Sequence, residues 1–450
     1  VSDALAASPA AAAAKLPTRL YLGYGVGMVG GQIFRDAPAL LLLFFMTDTL
    51  AIPAALAGLA VFLPKLWVVV CDPLVGAWSD RTQSRWGRRR PFVFWGALLS
   101  GLTFVALFNV PSFESPTAAA IYMTLIYTLA STAFSLFSIP YFSMATEFTE
   151  DTHERTTILA WRVAFTAAGL IAGGVAPYLV ARFGGGEGGY AMMALVLGLL
   201  ITGSMLITFF GTASAPRIAR SEAAVPLAQQ LRLALANRNY LSLLTINTVQ
   251  NLGAACNYAA IAYFVKYALG LPLAMLTPLV IVISVAAMAA QPLWVATSKR
   301  FGKRAVAMVS LVCYCLSTLA WTRVDGGDTA ALYAIAVAVG VFNSGFAMLL
   351  VSMLIDAIDE DRKTTGLNRE GAFMGVWFAL EKAMFAVGAL IVSLILAALG
   401  FVETAGETVR QPESALRGIV FSFAVLPPLL QITTLVLLWK LKLGRERRRA

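Results

Sequence analysis

Asp72 follows the apolar run Trp67–Cys71, precedes Pro73, and is the only acid in its apolar stretch. A carboxylate at the centre of a bilayer costs about 2.5–3.5 kcal/mol on insertion scales, so it must face a cavity or find a cation. Proline removes a backbone donor and frees carbonyls that can help hold an ion. Asp72 is therefore read as a cation-binding group, with a structural pairing to a nearby basic side chain as the alternative. Asp36 is the second such acid. It sits beside Arg35, but neighbours on a helix point about 100° apart, so each seeks another partner. Gln32, four residues earlier, shares the face of Asp36. Arg162 and Lys382 are isolated cations in separate apolar runs, and both are candidates for solute contact. An arginine fork suits paired hydroxyls or a carboxylate, and a lysine offers a point charge. Lys382 could instead pair with Asp72 or Asp36 for stability alone. Phe142 and Trp377, with Tyr141, Trp161 and Phe378, lie close in sequence to these charges and could stack against a sugar face or simply pack.

Other chemistry is missing. The chain has one histidine, His153, and four cysteines, none at metal-ligand or disulfide spacing. No Walker loop accompanies the apolar runs. These absences argue against an enzyme, a metal site, a cofactor or ATP drive.

The elements that must position these charges are membrane helices. Of the 450 residues 59% are hydrophobic and 13% charged, about half the charged share of a soluble domain. Apolar runs recur at about the 20 residues a bilayer core requires, and twelve can be counted. The chain divides into a flexible tail over 1–18, six helices over 19–213, a cytoplasmic linker over 214–237, six helices over 238–439 and a basic tail over 440–450. The fifth and tenth spans are expected over 158–184 and 330–356. The net charge of +10 sits in short loops, 25 of the 34 Lys and Arg on one side and five on the other. That bias puts both termini in the cytoplasm and argues against nucleic-acid binding.

The halves repeat. A slide of 219 residues lays Phe45 on Phe264, Leu50 on Leu269, Pro53 on Pro272 and Pro73 on Pro292. "SDRTQSRWGRRR" then meets "SKRFGKR". A duplicated six-helix unit is the plan of the major facilitator fold, with its site near the midplane between the halves.

"DPLVGAWSDRTQSRWGRRRPF" (72–92) and "NREGAFMGVWFALEKA" (368–383) resemble the helix 2–3 and helix 11 signatures of the glycoside–pentoside–hexuronide:cation symporters, with weaker likeness around "SIPYFSM" (138–144). The second half of the first stretch also resembles sucrose–proton carriers. The resemblance implies that Asp72 binds the coupling cation and that Arg162 and Lys382 line the binding cavity. It places Gln32 and Ser138 where sodium-using members carry acids, and Val68 where they carry another. The expected coupling ion is therefore H⁺ rather than Na⁺, shared between Asp72 and Asp36. Gln32, Ser138, Phe142, Arg162, Trp377 and Lys382 are the expected contacts of a sugar or glycoside. In the superfamily the helix 2–3 loop acts as a conformational latch, which here is Asp80, Arg81, Arg88, Arg89 and Arg90. The acidic turns "EFTEDTHER" and "DAIDEDRK" are its candidate partners, and membrane orientation alone is the alternative role. The implied protein is a monomeric symporter of the plasma (inner) membrane, bathed in lipid and working by alternating access. Wider relatives carry lysophospholipids, so an amphipathic or anionic solute is the second reading.

Overall fold

The computed structural model describes residues 16–149, 151–216, 237–365, 370–406 and 409–441. The expected tails up to residue 15 and from residue 442, the linker from 217 to 236, and Glu150 of the first acidic turn lie outside those residues. The described chain is helical throughout, as apolar spans must be when no water can satisfy their backbone. In the N-terminal half run α1 (Thr18–Asp48), α2 (Ala54–Arg81), α3 (Arg90–Phe108), α4 (Pro116–Phe148), α5 (Thr152–Gly174 continued by Ala176–Arg182) and α6 (Gly186–Gly211). In the C-terminal half run α7 (Arg238–Tyr263), α8 (Leu276–Ala289 with Gln291–Phe301), α9 (Lys303–Ala320), α10 (Thr329–Thr365), α11 (Glu370–Ala398) and α12 (Glu413–Val420 with Leu426–Lys440).

Ten of these are long and apolar enough to cross a membrane, and the two arms of α8 form an eleventh span bent by 42°. The bend falls just before Pro292, whose missing N–H breaks the ladder. The remaining span, α7, is 26 residues long, but Asn247, Gln250, Asn251 and Asn257 dilute its apolarity. Its start is set by Asn237, whose side chain accepts from the amides of Asn239 and Tyr240, both at 3.1 Å. Two spans overrun their apolar runs. Helix α5 begins at Thr152, and α10 continues through the charged segment "DEDRK" to Thr365. Apolarity marks the bilayer, whereas Asp, Glu, Arg and Lys can carry a helix on beyond it.

The packing repeats with the sequence. Helix α1 packs on α5 and α6, α2 on α4, and α3 on α4 and α6; α7 packs on α11 and α12, α8 on α10, and α9 on α10 and α12. Glycines recur at matching joints. A Cβ on Gly169 of α5 would stand 2.7 Å from the Gln32 Cβ of α1, and one on Gly388 of α11 would stand 2.4 Å from the Ala255 Cβ of α7. Gly169 and Gly388 are 219 residues apart. The halves meet where α2 packs on α11, α1 on α7, and α5 on α8.

Close approach of α3 and α4 depends on Gly96, where a Cβ would lie 2.5 Å from the backbone nitrogen of Phe137. Gly96→Val is expected to destabilise the protein by about 1–3 kcal/mol or more, seen as a lower melting temperature in detergent. Gly203→Val should leave the melting temperature unchanged, because nothing lies within 4 Å of that position.

Candidate functional site

The lone charges of the sequence come together between the halves. Asp72 on α2 accepts from Ser135 Oγ of α4 at 2.5 Å and from Lys382 Nζ of α11 at 2.6 Å. The Asp72 side chain is 16% exposed and that of Lys382 43%, so the pair is open on the lysine's side. Asp36 on α1 accepts from Gln32 Nε2 at 2.7 Å and from Arg35 Nε at 3.2 Å. Arg35 then reaches Glu381 of α11 at 3.6 Å. Glu381 and Lys382 are consecutive residues. Their divergence of about 100° sends one to α1 and the other to α2.

The result is one polar string from Gln32 through Asp36, Arg35 and Glu381, continued at the next residue by Lys382, Asp72 and Ser135. Three helices of one half are joined to a single helix of the other. Each acid meets a cation, which offsets the insertion cost of both charges. Arg35 and Asp36, expected to seek other partners, do make contact, while Arg35 also finds the distant acid that the helix geometry calls for.

Arg162 lies one layer away. Its guanidinium stands 5.3 Å from the centre of the half-exposed Phe142 ring and beside Tyr24 and Tyr141. Those two tyrosines stack at 4.5 Å and each donates its hydroxyl to the other's backbone oxygen, tying α1 to α4. No carboxylate pairs with Arg162 among the described residues. Ser138 is buried on α4, and its hydroxyl meets no partner among the described residues. Trp377 is placed apart from this group. It is 3% exposed and packs in the core of the C-terminal half with Tyr240, Phe346 and Phe373. Its neighbour Phe378 is the exposed aromatic.

The basic loop folds against its own half. Arg88 lies 2.5 Å from Glu147, Arg89 bonds the same carboxylate and lies 3.0 Å from Asp80, and Arg90 caps the Phe209 carbonyl at 2.8 Å. Arg81 lines the same pocket, of about 590 Å³. The acidic turn after α4 thus supplies the partner. The second acidic turn serves the equivalent loop of its own half, with Lys303 at 2.6 Å from Asp356.

A further cluster, which sequence reasoning did not single out, closes the opposite face. Asp48 at the end of α1 accepts from Lys266 Nζ at 2.7 and 2.8 Å and from the Tyr267 hydroxyl. The Asp48 carbonyl accepts from Thr404 Oγ1 at 2.6 Å. Thr47 Oγ1 lies 2.7 Å from the Tyr263 hydroxyl. Two signals were available. Lys266 is one of the few basic residues on its side, and the 219-residue slide lays Asp48 on Tyr267. Between described residues, every ion pair joining the halves lies either here or at the Asp36–Asp72 level. The opposite face is tied shut by the Asp48 cluster, and on the basic face no ion pair between described residues joins the halves.

The family model for MFS/sugar transport proteins matches residues 23–445. A putative glycoside/cation symporter of Escherichia coli is 28% identical over 95% of this chain and 92% of its own length. The isoprimeverose transporter of Lactiplantibacillus pentosus is 26% identical over 86% of this chain and 80% of its own. Among solved structures, the nucleoside transporter NupG overlays with a TM-score of 0.67 at 14% identity, covering 93% of this chain and 99% of that one, a likeness of fold.

Proposed function

Because the chain belongs to the MFS/sugar transport family and within it to the glycoside–pentoside–hexuronide:cation symporters, we propose that it couples the entry of H⁺ to that of a sugar or glycoside. It is an integral membrane protein and a secondary transporter, not an enzyme. One observation carries the coupling. Two acids within the spans of the N-terminal half, Asp36 and Asp72, are bound to α11 of the other half, through the Arg35–Glu381 and Lys382 contacts. A proton arriving at Asp72 displaces Lys382, so protonation alters a contact between the moving bodies. The Asp72 carboxylate has the Ser135 hydroxyl and the Lys382 ammonium as its side-chain partners, fewer hard oxygens than a bare sodium ion would need for its shell, which supports H⁺ as the partner.

The solute sits between the halves on the basic-face side of the string. Arg162 and the freed Lys382 bond its hydroxyls, Phe142 offers a ring face, and Gln32 and Ser138 contribute uncharged polar atoms. Closing the basic face and parting the Asp48–Lys266 tie then turns the site to the other side of the membrane. The excess of Lys and Arg in the basic loops supports cytoplasmic termini in a plasma (inner) membrane. The relatives named for glycosides and for symport make an amphipathic solute the weaker reading.

The test is uptake into proteoliposomes of the full chain with isoprimeverose and methyl glycosides as probes. Accumulation driven by an imposed pH gradient is the expected result. Accumulation driven by sodium alone, or no uptake of any probe by folded protein, contradicts it.

A further inference from the structure

We infer that the paired amides Asn247 and Asn251 on α7 form the C-terminal half's recognition face for a neutral vicinal diol of the solute. The inference rests on the glycoside reading above and adds residues from a helix that reading does not use.

The 219-residue slide lays Asn251 on Gln32 and Glu381 on Arg162. In each half a first helix carries an amide (Gln32 on α1, Asn251 on α7) and its partner helix carries a charge (Arg162 on α5, Glu381 on α11). The repeated packing of α1 on α5 and of α7 on α11 puts the two amides on corresponding helix pairs, with Asn251 one turn before Ala255, the residue that meets Gly388 of α11 as Gln32 meets Gly169 of α5.

Residues 247, 251 and 258 fall within about 40° of one another around a helix. Tyr258 marks where that stripe leads. Its ring packs on Phe385 of α11 at 5.8 Å, and its hydroxyl lies within electrostatic reach of Arg35 and Asp36. The stripe therefore runs toward the string of charges between the halves.

Two other α7 amides bond other helices, although Gln250 Oε1 is itself buried without a partner among the described residues. Gln250 donates to Asn343 at 3.1 Å, and Asn257 accepts from the Tyr314 hydroxyl at 3.1 Å. Asn251 Nδ2 donates to the backbone and side-chain oxygens of Asn247, both at 2.9 Å. That fixes the two amides relative to each other. It leaves Asn247 Nδ2 without a partner among the described residues, although Asn247 is only 4% exposed. Asn251 is only half-buried.

Buried polar groups in a membrane span face the interior and are retained for a use. A fixed donor beside a fixed acceptor matches two adjacent hydroxyls, each of which gives one proton and takes one. The pair is uncharged, so it reads the sugar without competing for the coupling proton.

The experiment compares isoprimeverose with an analogue lacking one hydroxyl of the xylosyl ring, for each hydroxyl in turn, in proteoliposomes. Asn251→Ala and Asn247→Ala are expected to raise KM for the parent about tenfold, the value of one hydrogen bond. They should also remove the wild-type preference for the parent over one particular deoxy analogue. A merely structural role would lower uptake of every probe alike and leave that preference in place, which would overturn the inference, as would a KM within twofold of wild type. If an alanine variant fails to reach the membrane, Asn251→Ser and Asn247→Ser read the same ratio. Failure of the wild type to take up any probe would instead sink the glycoside reading itself.

Discussion

Lys382→Met is expected to lower pH-gradient-driven uptake by about 5–150-fold, the range that corresponds to a coupling term of 1–3 kcal/mol. Methionine keeps the length of the side chain and removes the charge that meets Asp72 at 2.6 Å. Ser135 still donates to the other oxygen at 2.5 Å. Asp72 must then stay protonated or stand as an unpaired charge, and either state ends the exchange of partners on which the cycle depends. The pair is open on the lysine's side, so the cost in stability stays near the lower end for an orphaned buried acceptor, about 1 kcal/mol. The double variant Asp72→Asn, Lys382→Met should regain the wild-type melting temperature without regaining accumulation. Recovery of both would make the pair a structural tie only. Wild-type uptake by Lys382→Met alone would do the same.

The second large effect is expected at the opposite face. Asp48→Asn removes the charge that holds Lys266 at 2.7 Å and binds the Tyr267 hydroxyl. The hydrogen bond from the Thr404 hydroxyl to the Asp48 backbone carbonyl survives the substitution, so the face loosens without losing its alignment. A loss of about 1–3 kcal/mol from the closed state multiplies the population open at that face by about 5–150. Spin labels at Leu50→Cys and Val402→Cys, on either side of the tie, report it directly. A longer distance should gain weight in Asp48→Asn without solute. An unchanged distance distribution would show that Asp48 and Lys266 do not hold the face shut.

Much of this architecture was legible in the sequence, for a physical reason. A bilayer forces apolar spans of set length, so composition announces them even at 28% identity to known relatives. The paired prolines and basic loops announced the repeat, and the packing of the two halves follows it helix by helix. Helix ends were less legible. Charged residues of "DEDRK" extend α10 beyond its apolar run, and the amides of α7 make an interior span look polar.

The site was legible as a set of lone charges but not as a set of pairs. Asp36, Asp72, Arg162 and Lys382 stand out because an unpaired charge in a span is costly. Which charge meets which depends on the register of α11 against α1 and α2, and no local pattern encodes it. Glu381 and Lys382 diverge as helical neighbours should, yet both serve the same string. Trp377 illustrates the opposite problem. Next to Phe378 in sequence, it lies one helical step away and is sunk in the core. Asp48 and Lys266 were hidden by position, since charges at span ends look like ordinary loop residues until the fold brings them within 2.7 Å.

The central claim is that Asp72 carries the proton that accompanies the solute. The direct measurement is external pH in a lightly buffered suspension of de-energised proteoliposomes when isoprimeverose is added. Wild-type protein should turn the medium alkaline as H⁺ enters with the sugar. Asp72→Asn, folded and still able to let the sugar equilibrate, should leave the pH flat. An alkaline shift of wild-type size in Asp72→Asn would contradict the account.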